Sequence, residues 1–176
     1  MDFDFLIIHQ IKSGDKQAAE KLIRKYYPEI LRYCYLHIYD HGYAEDLTQE
    51  TFEHFFRGLN RYQYRGKTRN FLYTIASNLC RDYHKKCKEY PLEDLPEQPI
   101  EPILKVDTKL DLHTALNLLN FELREVTILY FFHDRTQKEI AAILGISQTL
   151  VQRRLDRAKS QLRFYLAEEA DYETHK

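Results

Sequence analysis

The chain has 176 residues, of which 44% are hydrophobic and 30% charged, a composition that fits one or two soluble globular domains and excludes collagen-like and disulfide-rich proteins. Because the formal net charge is only −1, any affinity for nucleic acid has to come from local segregation of charge. Three cysteines without a C-x-x-C pair are interpreted as reduced structural thiols.

The first two helices are predicted from apolar residues that recur every three or four positions. Inward positions of the first, short helix are Phe3, Leu6, Ile7, Gln10 and Ile11. The segment Ser13–Asp15 ends it and caps a second helix, which runs from Lys16 to about Ile38 and contains Pro28. The sequence Asp40-His41-Gly42 then predicts a turn.

The third predicted helix, from Tyr43 to Gly58, combines an apolar stripe at Leu47, Thr51 and Phe55 with an acidic and amide-rich surface. That surface is formed by Glu45, Asp46, Gln49, Glu50 and Glu53. Such a surface is most often a solvated helix face, and it also suits docking to a basic partner. A third interpretation is a metal-dependent enzyme that uses Asp46, Glu50 and His54.

Positive charge and aromatic residues are interleaved in the loop Asn60–Lys67 and in the helix predicted from about Arg69. The basic residues are Arg61, Arg65, Lys67, Arg69, Arg81, Lys85, Lys86 and Lys88. The aromatic candidates are Tyr62, Tyr64 and Tyr73. Cations that follow phosphates and aromatic faces that receive unstacked bases are what a single-stranded nucleic-acid site requires. The alternative is a solvated loop followed by cations that the helix dipole favours.

An acidic stretch with four prolines, residues 91–107, is predicted to be an extended linker because its composition cannot sustain a helix. It divides an all-α chain into two small helical domains, at residues 1–90 and 108–168, followed by an acidic tail at 169–176. In the second domain, Leu110–Leu119 predicts a first helix and Leu123–Phe131 the next.

A helix-turn-helix at Thr136–Arg163 completes the second domain. Gly145 stands where a left-handed residue ends the first helix, and Ser147 is placed to cap the second. The apolar stripe of the second helix is Leu150, Val151, Leu155, Ala158 and Leu162, and the basic residues at other angles are Arg153, Arg154, Arg157, Lys159 and Arg163. This pattern is typical of a recognition helix in the DNA major groove, although the motif also occurs in helical proteins that never bind DNA.

No pattern of a catalytic or cofactor site is present, so we expect neither enzymatic activity nor a cofactor. Cys80, His84 and Cys87 share a helix face but lack the distant partner cluster of a metal site. No stretch is apolar for long enough to span a membrane, and acidic residues stand near the N-terminus where a secretory signal carries positive ones. We therefore expect a cytoplasmic protein without direct membrane insertion.

Three motifs, in this order, resemble the extracytoplasmic function sigma factors, the two-domain group of the bacterial sigma-70 family. AEDLTQETF at Ala44–Phe52 is similar to the region 2.2 signature, FLYTIASNLCRDYHKK at Phe71–Lys86 to regions 2.3 and 2.4, and EIAAILGISQTLVQRRLDRAKSQLR at Glu139–Arg163 to region 4.2. The resemblance extends from about Gly14 to Leu166. It implies a transcription initiation factor that binds core RNA polymerase and promoter DNA.

The resemblance also implies roles for individual residues. Docking to the clamp helices of the largest polymerase subunit falls to Asp46, Gln49, Glu50 and Glu53. The residues that the resemblance implies for opening and binding the minus-10 strand are Arg61, Tyr62, Tyr64, Arg65, Lys67, Asn78, Arg81 and Lys85. Among these, Tyr62, Tyr64 and Arg65 would bind a flipped base. Recognition of the minus-35 duplex falls to Thr136, Gln137, Ser147, Gln148, Thr149, Gln152, Arg153 and Arg157.

Further partners follow from the same resemblance. The flap region of the polymerase is one, and a membrane-bound anti-sigma factor that wedges between the two domains is another. The sequence departs from the family at Phe71, where Trp is common, and at Asn120–Glu122, which replaces a Leu-Pro-x helix entry. A different class of protein, a stand-alone DNA-binding regulator, would use the helix-turn-helix alone.

Overall fold

The computed structural model describes residues 3–60, 67–89 and 108–173, with the side chains of residues 4–60, 67–87 and 112–164. All regular structure in these ranges is helical, which confirms the predicted all-α fold. The helices are α1 (Phe3–Lys12), α2 (Lys16–Ile38), α3 (His41–Gly58), α4 (Thr68–Glu89), α5 (Thr108–Leu118), α6 (Phe121–Thr127), α7 (Gln137–Leu144) and α8 (Gln148–Glu173). The predicted linker at 91–107 lies outside the described residues.

The chain forms two compact units. The first contains α1 to α3 and α4 up to Tyr83, together with Ala142–Gly145. The second contains the remaining residues from His84 onward. Helix α8 continues to Glu173, through the first residues of the predicted acidic tail.

Polar caps determine where the helices of the first unit begin. Gly14, at a φ of +91°, ends α1, and the Asp15 carboxylate then accepts from the first N–H groups of α2 at 2.8 and 3.2 Å. Both features were predicted. The Asp40 carboxylate likewise accepts from the Tyr43 N–H at 2.9 Å, so α3 begins at His41 and the turn predicted at residues 40–42 is wrong.

Helices α2, α3 and α4 contribute large side chains to the core of the first unit. Those with almost no exposure include Leu22, Ile30, Tyr33, Phe55, Leu72 and Tyr73. On α3 the predicted stripe of Leu47, Thr51 and Phe55 is buried, so its acidic residues are left on the opposite side. This burial fixes which face of α3 is available to a partner.

A buried carboxylate that the sequence did not predict anchors α1. Asp4 is 7% exposed and accepts a hydrogen bond from Lys25 Nζ at 2.6 Å and another from the Tyr26 hydroxyl. Burial, followed by the hydrogen bond to Asp4, raises the pKa of Tyr26 and keeps its phenol neutral. Because Asp4 and Ile7 point inward, Leu6 is 43% exposed, which corrects the predicted inward position.

In the second unit, Arg124 ties α6 to the end of α5. Its Nε donates to the carbonyl of Leu116 at 2.9 Å, and its Nη2 donates to those of Leu119 and Asn117 at 3.3 and 3.4 Å. The guanidinium therefore satisfies carbonyls that a helix end leaves without partners. The Asn120 side chain accepts from an N–H in the first turn of α6 at 3.0 Å, and so defines a helix start without the usual proline.

Helix α6 continues as a π-helical turn over Ile128–Phe132. Such a turn contains an extra residue, so the side chains after it are rotated relative to an α-helical pattern. Ile128 and Leu129 are buried, whereas Phe131, the last apolar residue of the helix predicted at Leu123–Phe131, is 49% exposed. Lys159 Nζ lies 5.9 Å from the ring centroids of both Tyr130 and Phe131 and partly covers them.

Candidate nucleic-acid interface

The predicted helix-turn-helix is formed by α7 and α8, joined by a short corner. Gly145 has a φ of +66°, a conformation that L-residues rarely adopt, and Ile146 N–H donates to the carbonyl of Ala141 at 3.1 Å. Ser147 Oγ accepts from Leu150 N–H at 3.1 Å and caps α8. Both the left-handed residue and the cap stand where the sequence predicted them.

Helix α8 has one buried stripe, at Val151, Leu155 and Ala158, and an exposed outer side. The predicted minus-35 residues that are exposed there are Gln148, Thr149, Arg153 and Arg157. Neither arginine forms an ion pair with any side chain that the structure describes, so both guanidinium groups are available to an external acceptor. Ser147 is also exposed, although its oxygen already serves as the cap.

The N-terminus of α7 is closed by a capping box. Thr136 donates its hydroxyl and its backbone N–H to Glu139 Oε2 at 2.8 and 2.9 Å, and Glu139 N–H donates back to Thr136 Oγ1 at 3.3 Å. Arg135 lies 3.4 Å from the other carboxylate oxygen. The hydroxyl of Thr136, one of the residues predicted to contact the minus-35 duplex, therefore already donates to Glu139.

Gln152 is half-buried and hydrogen-bonded at both ends of its amide. Its Oε1 accepts from Gln137 Nε2, and its Nε2 donates to Asp156 Oδ1 at 2.9 Å. The sequence had singled out both glutamines and missed Asp156. The signal available for Asp156 was its position one turn after Gln152, since residues four apart are neighbours on a helix.

Three of the predicted minus-10 residues share one face of α4, because Asn78, Arg81 and Lys85 are spaced by three and four positions. Asn78 and Lys85 are exposed, and Arg81 Nη1 donates to Asn78 Oδ1 at 3.4 Å. Lys67, just before α4, is exposed as well. The other predicted minus-10 residues lie outside the described residues: Arg61, Tyr62, Tyr64 and Arg65.

Tyr73, which the sequence placed among the base-stacking aromatics, belongs to the core instead. It is fully buried, and its hydroxyl donates to Glu29 Oε1 at 2.6 Å. The ring packs edge-on against Tyr33, with 5.3 Å between the centroids. A base cannot reach this ring, so its assignment to the nucleic-acid site is wrong.

The acidic and amide-rich surface of α3 is formed by four of its five predicted residues. These four recur at three and four positions, so they share one helix face, and all are exposed: Asp46, Gln49, Glu50 and Glu53. Glu45 is half-buried, and its Oε1 lies 3.3 Å from His41 Nδ1. His54 Nε2 lies 3.6 Å from Glu50 Oε1. Among the side chains described, no three His, Cys, Asp or Glu residues are grouped as ligands for a metal ion.

Residues 22–89 match Sigma-70 region 2, and residues 109–162 match Sigma-70, region 4. The RNA polymerase sigma factor YlaC of Bacillus subtilis is 30% identical over 161 residues, which are 84% of this chain and 91% of YlaC. The chain belongs to the sigma-70 family, as an extracytoplasmic function sigma factor. This confirms the resemblance that its three motifs indicated.

Other relatives of this sigma factor carry the same group name. The ECF RNA polymerase sigma factor SigE of Mycolicibacterium smegmatis is 33% identical over 168 residues, 88% of this chain and 65% of SigE. SigW of Bacillus subtilis is 26% identical over 176 residues, 89% of this chain and 92% of SigW. The region 2 match contains the acidic surface of α3 and all of α4, and the region 4 match contains α7 and α8 up to residue 162.

Two solved structures have the same fold. CnrH, in complex with the cytosolic domain of CnrY, has a TM-score of 0.74 and 22% identity, covering 93% of this sigma factor and 96% of CnrH. RpoE of Bartonella quintana, in complex with the anti-sigma factor NepR, has a TM-score of 0.69 and 22% identity, covering 84% and 96%. In the part of this chain that the structure describes, no helix is both long and apolar enough to cross a membrane.

Proposed function

We propose that this sigma factor acts in the cytoplasm, binds core RNA polymerase, and directs transcription initiation by holding two promoter elements, without catalytic activity of its own. One helix face carries the proposal. The outer side of α8 presents Gln148, Thr149, Arg153 and Arg157, and neither arginine forms an ion pair with a described side chain. Ser147 caps the start of this helix.

The outer side of α8 is the proposed reader of the minus-35 duplex. Arg153 and Arg157 can each bind the two acceptors of a guanine edge or a phosphate, and the amide of Gln152 matches an adenine edge. Gln148 and Thr149, in the first turn, are placed for contacts to phosphates that set the register. With the Thr136 hydroxyl engaged by Glu139, a phosphate at α7 would be bound by the N–H groups of Gln137 and Lys138.

The cationic face of α4 is the proposed site for the opened minus-10 strand. Asn78, Arg81 and Lys85 supply hydrogen bonds and positive charge along one line, and exposed Lys67 adds to that charge just before α4. We assign base stacking and the flipped base to Tyr62, Tyr64 and Arg65, which precede Lys67 in the sequence, because a single strand needs aromatic faces beside its phosphate contacts.

The acidic face of α3 is the proposed docking surface for the clamp helices of the largest polymerase subunit. Its three exposed carboxylates make it complementary to a basic partner, and charge complementarity of this kind speeds association and fixes register. The second unit would contact the flap region of the polymerase. CnrH and RpoE are bound by CnrY and by the anti-sigma factor NepR, and we propose a membrane-bound anti-sigma factor as the regulator of this chain too.

The test compares binding of a promoter fragment with and without core polymerase. The sigma factor alone should bind the fragment weakly, and core polymerase should make binding tight and sequence-specific. Reversing two docking charges, Asp46→Lys with Glu50→Lys, should weaken binding to core by about tenfold or more, because like charges that face each other cost several kcal/mol. Tight, specific binding by the isolated chain would instead support a stand-alone regulator.

A matched control is the charge reversal Glu20→Lys. Glu20 is an exposed carboxylate of the same unit, paired with Arg24 at 2.7 Å on α2 and outside the α3 face. Its reversal should leave the affinity for core polymerase nearly unchanged. Equal losses from the control and from the α3 variant would contradict docking through this face.

A further inference from the structure

Three polar side chains form a continuous hydrogen-bonded series across the helix-turn-helix. Gln137, at the start of α7, donates to Gln152 on α8, and Gln152 donates to Asp156 one turn later. Gln152 is half-buried, and Asp156 is exposed on the outer side of α8 beside Arg153 and Arg157, which form no ion pair with the described side chains. The series therefore connects the second helix of the motif to the first at the proposed DNA surface.

Asp156 determines which way the amide of Gln152 points. An ionised carboxylate can only accept hydrogen bonds, so the Gln152 group that meets it has to be the NH₂ end. The carbonyl end then faces Gln137, whose NH₂ donates to it. An asparagine in place of Asp156 could donate or accept and would no longer distinguish the two orientations.

The fixed amide of Gln152 keeps one hydrogen-bonding position at each end. An amide nitrogen has two N–H donors and an amide oxygen two lone pairs, and the series uses one of each. The remaining N–H and lone pair match the N7 acceptor and the N6 donor of adenine in the major groove. Because the amide is oriented before DNA arrives, less side-chain entropy is lost on binding.

The carboxylate of Asp156 itself opposes binding to DNA of any sequence. It is exposed on the recognition helix, where a negative charge repels phosphates, and neither neighbouring arginine neutralises it through an ion pair within the described residues. A group that weakens general affinity while orienting a base reader contributes to specificity and not to affinity.

We propose that Asp156 is a positioning residue that sets the base preference of Gln152, so that Gln152 reads adenine at one position of the minus-35 duplex. The inference rests on the proposed function of α8 as the minus-35 reader. Asp156 then raises selectivity at one base pair of the minus-35 duplex. It lowers, by a smaller factor, the affinity for duplex DNA of any sequence.

The test is selection of active promoters by the reconstituted holoenzyme from a pool randomised across the minus-35 element. The unaltered chain should enrich adenine at one position, and Gln152→Ala should abolish that preference. Asp156→Asn should lower it by about fivefold or more, since a good bidentate pair discriminates by roughly 1–3 kcal/mol. Preferences at the other positions should persist, and binding to unselected duplex should tighten.

The control variant Glu122→Gln removes one exposed carboxylate of the same unit, from the first turn of α6. It should leave the adenine preference unchanged. Thermal unfolding of Asp156→Asn should match that of the unaltered chain, which separates positioning from loss of folding.

Two results would overturn the inference: an adenine preference that survives Asp156→Asn, or a preference for cytosine at that position, which Asp156 would read directly. A pool without enrichment at any minus-35 position would instead contradict the proposed function of α8. Because these outcomes differ, failure of the inference can be told apart from failure of the function on which it rests.

Discussion

At the scale of single residues, Tyr73 illustrates what decides whether an aromatic residue is available to DNA. Tyrosine has an apolar ring and a polar hydroxyl, so it can be buried wherever the hydroxyl finds a partner. Glu29 is that partner, 44 positions earlier in the chain, and Arg69 lies 3.2 Å from the same carboxylate. A sequence pattern around Tyr73 contains no information about so distant a contact.

We predict that Tyr73→Phe lowers the free energy of unfolding by about 1 kcal/mol, the usual net value of one hydrogen bond. Urea denaturation measures this change. The matched control is Tyr43→Phe, because Tyr43 is 43% exposed and its loss of a hydroxyl should cost almost nothing. If Tyr73→Phe left the free energy of unfolding unchanged but impaired promoter opening, Tyr73 would have to be assigned to the nucleic-acid site after all.

His113 gives the second unit a predicted dependence on pH. Burial, followed by the positive charge of Arg124, lowers the pKa of His113 from its ordinary value of 6.5, so the folded state favours the neutral ring. The stability contributed by the neutral ring is complete above pH 6.5 and is lost as the pH falls through the lowered pKa, because the unfolded chain takes up the proton first.

We therefore expect the free energy of unfolding to fall below pH 6.5 more steeply for the unaltered chain than for His113→Gln. Chemical denaturation of both proteins between about pH 5 and pH 8 measures the difference. Parallel curves would contradict the assignment. Glutamine keeps a donor and an acceptor near Asn117, whose Nδ2 lies 2.6 Å from His113 Nε2.

At the scale of helices, the corner between α7 and α8 depends on the left-handed conformation of Gly145. A Cβ there would meet no atom within 4 Å, so the cost of Gly145→Ala is purely conformational, about 1 kcal/mol of unfolding free energy. Gly58, at the end of α3, also has open space but no positive φ. Gly58→Ala should be neutral or stabilising by up to about 1 kcal/mol. Equal effects in denaturation experiments would contradict this account of the corner.

Most helices could be predicted from the sequence because apolar spacing and capping residues act locally. Asp15, Gly145 and Ser147 were placed correctly for that reason. Periodicity failed at Phe131, because a π-helical turn changes the number of residues per turn without an apolar pattern of its own. It failed at Asp4, because a charged residue is buried only where distant partners such as Lys25 and Tyr26 exist.

At the scale of the whole chain, the distribution of charge carried most of the functional prediction. The net charge is −1, yet the acidic residues of α3 and the cations of α4 and α8 occupy separate helix faces. The chemistry of each face could be predicted from sequence. The hydrogen bonds that fix Gln152 could not, since they depend on how closely α7 and α8 approach.

The central claim is that two DNA-binding faces become selective only together with core polymerase. Run-off transcription with purified core polymerase and this sigma factor, on a randomised promoter pool, tests it most directly. We predict that the selected templates share two elements, one read as duplex and one as an opened strand, and that Arg153→Ala relaxes selection in the duplex element alone. Transcription that is independent of the sigma factor, or templates that share no sequence element, would contradict the claim.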